Sequence, residues 1–496
     1  MANARIITAI VAFAIAPLLF AEELGEMWGT AKEEAKYYPI VNIPIPPEVP
    51  MRPGGFEILP DGRLAVGTRR GDIYFIKGAF DSPPAPEYQL FASGQDEIFS
   101  LSWRDGAMTA TSFGETTRIT DTNGDGVADN YDTLTNHWGY AEYHEFAFGS
   151  KPDAEGNIWV ALGLSSSYES HNLFRGWAVK VTSDGKMIPV CSGLRSPAGV
   201  GANAEGAMFA IESQGPWNGC CSLKHLKPGG FLGHPASYNW YPFAPGIAAP
   251  TVTPNSNSRM TDELKRVKEL VPPAVRFPYI KMGRSISGFR LNQTGGAFGP
   301  FDHQLFLGDY TLSIIMRATT EQVNGVWQGA CYPFREGLAT GIMNVEFSPK
   351  GQLIAGGFTT NRQWPVRGTE PFAIQRLDWS GVVPFEIREI NIKPDGFLVH
   401  FTKPVDPVIA AKPDAYHITT YSHIYHGAYG SPEVDQTTAR VTKAIPSADG
   451  LSVMVHLEKI EVGHIHDFDI AAMASKDGER LLHTQAYYTV NQIPKE

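Results

Sequence analysis

Cysteine is scarce in this chain: only Cys191, Cys220, Cys221 and Cys331 occur in 496 residues. No C-x-x-C-H run is present, which excludes covalent c-type haem, and no cysteine pair has zinc-site spacing. Long apolar runs are equally scarce, and beyond Ala21 no segment is apolar for long enough to span a bilayer. Basic residues are outnumbered, and the net charge of −11 argues against nucleic acid or an anionic membrane surface as the main partner. Apolar residues at helical spacing are few.

What the chain has instead is 50 glycines, 37 prolines and 11% aromatics, a composition that suits an all-β protein full of turns. Its length exceeds one ordinary domain and suffices for a propeller or barrel plus a companion. Residues 1–21 read as a secretory signal, with Arg5 before an apolar run from Ile6 to Phe20 and acidic residues from Glu22. Leu19 fits the cleavage site less well than alanine would, and a retained anchor is the alternative. The mature chain is expected in the periplasm or outside the cell. Export permits disulfides, and Cys220 and Cys221 are expected to be oxidised, to each other or to other partners.

Six segments share one form: a small residue, an apolar strand, a Gly-containing turn and a second apolar strand, often followed by a third. They begin at Gly54 (GGFEILPDGRLAVGTRRGDIYFIKG), Glu97, His144 (HEFAFGSKPDAEGNIWVALGLSSSY), Ala198, Ser287 and Gly341. The recurrent Asp-, Glu- or Lys-Gly between strands is a hairpin signal. The pattern predicts a six-bladed β-propeller over 22–383, with loops of every blade meeting at one mouth. After residue 381 the pattern changes to short alternating strands, predicting a C-terminal immunoglobulin/fibronectin-like β-sandwich over 384–496. The histidines of that part (His417, His423, His426, His464, His466) read as half-exposed strand residues. An insertion over 244–278 holds one amphipathic helix over 261–270, stopped by Pro272-Pro273. It reads as a surface elaboration, with a partial lid over the mouth as the sharper alternative.

Two stretches carry chemistry. In the first, Asp121, Asn123, Asp125, Val127, Asp129 and Asp132 stand at positions 1, 3, 5, 7, 9 and 12 of a calcium-type loop, with Gly126 at the turn. A structural Ca²⁺ is expected there, the alternative being a solvated acidic turn. In the second, a Gly-Leu-Arg-Ser-Pro turn and a short strand open into a loop holding Glu212, Gln214, Lys224, His225 and His234. Strand ends feeding polar loops are where rigid scaffolds place chemistry.

The stretches GGFEILPDGRLAVGTRRGDIY, HEFAFGSKPDAEGNIWVALG, GLRSPAGVGANAEGAMFAIESQGPW and KPGGFLGHP resemble the soluble glucose/sorbosone dehydrogenase family. These are six-bladed quinoproteins that oxidise sugars with pyrroloquinoline quinone (PQQ). The resemblance is greatest to exported propeller proteins of planctomycetes and their relatives, and it covers about residues 51–380. It implies His144 as the base that takes the sugar hydroxyl proton and Arg195 as the arginine approaching the quinone. Ser196 replaces the usual asparagine. It implies a cofactor Ca²⁺ on the carbonyls of Gly215-Pro216; Gln214, Lys224 and His225, reactive side chains of the same loop, are expected as further cofactor contacts. The family's cofactor lysine falls near Thr311, and two of its arginines fall near Gly341 and Met343.

The expected function is therefore oxidation of a sugar or polyol hydroxyl, with electrons leaving to an external acceptor. The alternative is a non-redox propeller that binds or cleaves carbohydrate. There His144, Arg195 and His225 would contact the glycan, and Trp138, Tyr143 and Trp217 would stack on its rings. Either way, His144, Arg195 and the loop from Gln214 to His225 are expected to meet at the axial mouth.

Overall fold

In four of the six repeats the first strand is crowded by its neighbours, and a glycine permits the crowding. A Cβ at Gly54 would lie 2.1 Å from the Ile98 carbonyl oxygen, and one at Gly288 would lie 2.4 Å from Asn344 Oδ1. The backbone oxygen so close to Gly54 leaves no room for a side chain there, and at Gly288 a side chain would have to displace Asn344. In this computed structural model, residues 27–142, 144–360 and 365–495 are described, so the expected signal at 1–21 lies outside the described residues.

Six antiparallel four-stranded units follow one another. Blades 1 to 3 span 53–92, 100–135 and 147–192, and blades 4 to 6 span 197–277, 286–335 and 342–378. The first strands of successive blades pack side by side, and that of blade 6 packs against that of blade 1. This closed ring is a six-bladed β-propeller. Blade 6 takes its fourth strand from the N-terminal side: Ile40–Asn42 pairs antiparallel with Phe372–Asp378, Ile40 opposite Leu377.

The C-terminal part is not a free-standing companion. The outer strand of blade 5, Val326–Arg335, pairs onward with Gln485–Thr489, and the sheet continues through Ile465–Asp469 and His417–Tyr425 to Ser258–Arg259 of the insertion. A second sheet, built from Ile387–Lys393, Gly396–Phe401, Ser452–Leu457 and Val441–Pro446, lies against it. Ile390, Phe397, Val399 and Val455 of that sheet share one core with Ile418, Phe468 and Tyr488 of the first. Of the five histidines read as half-exposed, His466 is fully buried and contacts Phe397.

A buried polar cluster fastens the two ends of the chain. His483 lies between Glu386 (Nδ1, 2.7 Å) and Glu34 (Nε2, 2.9 Å), and Arg335 reaches Glu34 at 3.1 Å. Burial alone would lower the His483 pKa, but the two carboxylates outweigh it and push it up to about 9.

Two expectations are corrected. The insertion helix runs over Met260–Arg266 and stops short of residue 270, because Val267 and Leu270 turn inward to pack on Phe231. All four cysteines are free and buried. Cys221 opens a strand packed in the propeller core, while Cys220, just before it, lies 4.0 Å from His423 Nδ1. Neighbours along a strand project to opposite faces, so the two thiols diverge.

Candidate functional site

Residues just before each blade's first strand, or just after its second, point toward the ring axis. In blades 1, 4, 5 and 6 a bulge interrupts the start of the first strand, and bulges re-aim the side chains beside them. A cavity of about 250 Å³ results, lined by every blade: Arg69, Phe99, His144, Arg195, Arg284 and Phe358 represent blades 1 to 6 in turn.

One wall is aromatic. The rings of Phe99 and Phe146 are 5.3 Å apart and those of Phe99 and Phe148 are 4.9 Å apart. The Arg69 guanidinium lies over Phe358 at 4.8 Å and Phe99 at 5.6 Å, and it is ion-paired with Glu97. The other wall is rich in hydroxyls, with Ser167, Ser196, Ser213, Ser285, Tyr310 and Thr360. No carboxylate lines the cavity among the described residues, while three arginines do.

Arg195 is aimed from below. Its peptide N–H and that of Ser196 (3.1 Å) both donate to Glu212 Oε1, and Glu212 is ion-paired with Lys224, buried like itself. Lys224 Nζ also donates to the Leu232 carbonyl at 3.0 Å. The guanidinium donates to the carbonyls of Ser167 (3.2 Å) and Gln214 (2.7 Å) and lies 5.1 Å from the Tyr429 ring centroid. The guanidinium itself does not pair with Glu212.

His144 has φ of +71°, a left-handed conformation that non-glycine residues keep only where the surroundings hold it. Glu145 helps hold it. Its carboxylate accepts the N–H groups of Ala141 (2.7 Å) and Glu142 (3.0 Å), the Ser165 hydroxyl and the Asn172 amide. Ser167 Oγ lies 2.8 Å from His144 Nδ1. Burial, then the charge of Arg195, lowers the His144 pKa to about 4, so the imidazole is neutral at pH 7. Ser167 thus links the two expected site residues, with its hydroxyl on His144 and its carbonyl on Arg195.

The other sequence candidates fall outside the lining. A Cβ at Gly215 would lie 2.1 Å from Arg195 Cζ, so glycine there gives the guanidinium its bed. The Gly215 carbonyl already accepts two amides, Asn218 N at 3.1 Å and Gly430 N at 3.3 Å, and the adjacent Pro216 is buried. The Gln214 side-chain amide donates to the Gly219 carbonyl at 3.1 Å. Lys224 serves Glu212, and His225 packs between Phe209 and Trp327. Trp138 is buried and donates to the Phe113 carbonyl at 2.9 Å, Trp217 meets Tyr425 edge-on, and Tyr143 lies outside the described residues.

The acidic loop forms a hairpin turn between two strands of blade 2. Asp121 accepts the N–H groups of Gly124 (2.7 Å) and Gly126 (2.8 Å), Asp125 accepts Val127 N (2.9 Å), and Asp129 accepts Thr122 N and Oγ1 (both 2.8 Å). Asn123 Oδ1 accepts Asp125 N at 2.9 Å, and Asp132 lies on the following strand and accepts the Asn130 amide at 2.9 Å. Among the described residues no three His, Cys, Asp or Glu side chains gather as a metal site.

Sequence reasoning misses Arg69, Arg284, Tyr310 and Tyr429. The first three occupy repeat positions equivalent to recognised ones: Arg69 and Tyr310 each directly follow a second strand, and Arg284 precedes a first strand. Aligning the repeats by strand end therefore finds them. Tyr429 carries no such signal, because it arrives from the C-terminal part. The insertion contributes nothing to the lining, so it is not a lid. Instead it pairs with the strand leading into the 425–433 hairpin, which bears Tyr429.

No protein-family model matches the chain, and no curated protein matches it. Solved structures do. A PQQ-bound aldose sugar dehydrogenase from Streptomyces coelicolor is 14% identical, with a TM-score of 0.46, over 68% of this chain and 97% of that one. A Carbohydrate-Active Enzymes Family AA12 protein from Trichoderma reesei is 13% identical, with a TM-score of 0.49, over 70% and 97%. The PQQ domain of pyranose dehydrogenase from Coprinopsis cinerea is 12% identical, with a TM-score of 0.45, over 68% and 95%.

Proposed function

We propose that the axial cavity holds an acidic, flat organic group through Arg69, Arg195 and Arg284, and that His144 takes a hydroxyl proton from a sugar or polyol seated beside it. The chain is then an exported quinoprotein-like dehydrogenase that passes electrons to an external acceptor. The observation that carries this reading is three arginines and a neutral imidazole around one aromatic-walled cavity that no carboxylate lines among the described residues. Such a cavity attracts anions and leaves the base able to accept a proton at pH 7.

The residues fit one part of the expected cofactor and not another. Three guanidinium groups and the phenylalanine wall suit a planar tricarboxylate such as PQQ, with Arg69 and Arg284 standing in for the charges absent at Thr311, Gly341 and Met343. Calcium at Gly215-Pro216 does not fit, because both lone pairs of the Gly215 oxygen are engaged by amides. PQQ, when bound, supplies a two-electron oxidant. The chain's own part is to orient the imidazole through Ser167, accept the proton on His144 and place the Arg195 charge where negative charge develops.

The hydroxyl-rich wall favours a second reading, binding or cleavage of an acidic sugar without redox chemistry. One experiment separates the two: purified protein with aldoses and polyols, an artificial electron acceptor, and PQQ with or without Ca²⁺. The dehydrogenase reading expects acceptor reduction that requires PQQ and persists in chelator. Saturable binding of a uronic acid with no reduction under any condition establishes the second reading.

A further inference from the structure

Arg276 lies in the outermost strand of blade 4, Val275–Phe277, and only 7% of its surface is exposed. Its Nη1 is buried with no acceptor, and its side chain forms no ion pair with a described residue. The groups packed around it offer no spare negative charge. Asp435 is held by Arg259 (2.6 and 3.2 Å) and by the Ser422 hydroxyl (2.8 Å). Glu433 and Asp467, on neighbouring strands, are paired with Lys281 at 2.8 and 3.3 Å. Burial keeps the Cys220 thiol protonated, pushing it up to about 12. Burial, and then the charge of Arg276, holds His423 down at about 3, and His464 is also lowered by burial. Arg276 is therefore an uncompensated cation inside an interface, an arrangement that is strongly unfavourable without a counter-charge.

The side chain lines a cavity of about 60 Å³, shared with Arg259 and Ser422, His423, Asp435 and His464. A water needs roughly 10–15 Å³ of such space, so the cavity has room for a small anion with a few waters and not for a sugar-sized ligand. We propose that this cavity is a halide site, in which one chloride-like anion bridges Arg276 of the propeller and the imidazoles of His423 and His464 of the C-terminal part. The site is separate from the axial cavity and takes no part in its chemistry. It neutralises the joint between blade 4, the insertion and the C-terminal sheets.

The deciding experiment is anomalous diffraction from crystals of the full chain soaked in sodium bromide. A bromide peak beside Arg276 Nη1 is expected, and its absence overturns the proposal by showing that water alone solvates the guanidinium. In solution, thermal unfolding in matched sodium chloride and sodium gluconate should differ by about 2–4 °C in favour of chloride. Arg276→Met should remove that difference. A difference of unchanged size in the variant also overturns the proposal, because it places the responsive halide elsewhere.

Discussion

Glu212 and Lys224 form an ion pair whose side chains are 0% and 2% exposed, directly beneath the turn that carries Arg195. The carboxylate serves the lysine through one oxygen and two peptide N–H groups through the other. A buried pair of this kind is costly to break from one side, because the surviving charge has no solvent.

Lys224→Met should therefore destabilise the protein by about 3–5 kcal/mol. The double variant Glu212→Gln/Lys224→Met should recover part of that loss, since it leaves no charge behind. Urea unfolding of the single and double variants measures both. Additive losses would show that the two residues act independently.

His144→Ala should reduce turnover by about 10²–10⁴-fold if the imidazole is the base. Because its pKa lies at about 4, the wild-type rate should be flat from neutral pH down and fall only as pH approaches that value. Tyr429→Ala should behave differently, raising KM with little change in kcat. Its ring lies against Arg195 and lines the cavity, but it contributes no proton acceptor at neutral pH. Steady-state kinetics across pH on both variants separates the roles.

The His483 cluster sets an upper pH limit on stability. Folding raises this pKa from an ordinary 6.5 to about 9, so the folded state binds a proton that the unfolded chain releases. The stabilisation is complete below about pH 6.5 and disappears as pH rises through about 9. Melting temperature should fall across that window, and His483→Gln should flatten the fall. An identical alkaline profile in the variant would assign the effect to other groups.

The turn from Asp121 to Asp132 is proposed as a structural calcium loop. Its carboxylates already accept backbone amides, so the cation adds to a formed turn rather than creating it. Asp125→Ala should lower the melting temperature in Ca²⁺ by a few degrees and change little in chelator. Equal losses in both conditions would leave the amides as the only glue.

The propeller is legible in the sequence because each blade repeats a local signal: two alternating apolar strands joined through a glycine turn. His144 and Arg195 are expected from the family resemblance, and both line the cavity from strand ends of the repeats. The joint to the C-terminal part is not legible. It depends on Val326–Arg335 pairing with Gln485–Thr489, and a strand's choice of a distant partner leaves no trace in its own residues. The same distance hides Tyr429. Gln214, Lys224 and His225 look like a site because they are reactive side-chain types in a polar loop, yet none lines the cavity: the Gln214 carbonyl and Lys224 support Arg195 and its turn, and His225 packs between Phe209 and Trp327.

The closure of blade 6 has a consequence for synthesis. Asn42 and Gln375 are bonded side chain to side chain at 2.6 Å across 333 residues of chain, in neighbouring strands of one sheet. Ile40–Asn42 is made early and its partner strand late, so the ring cannot close before Phe372–Asp378 has been made. Until Phe372–Asp378 emerges, the nascent chain carries an unpaired early strand and an open run of blades, the kind of edge on which other chains add. Shielding that edge during translation, rather than the stability of any one blade, should govern the yield of correctly folded molecules.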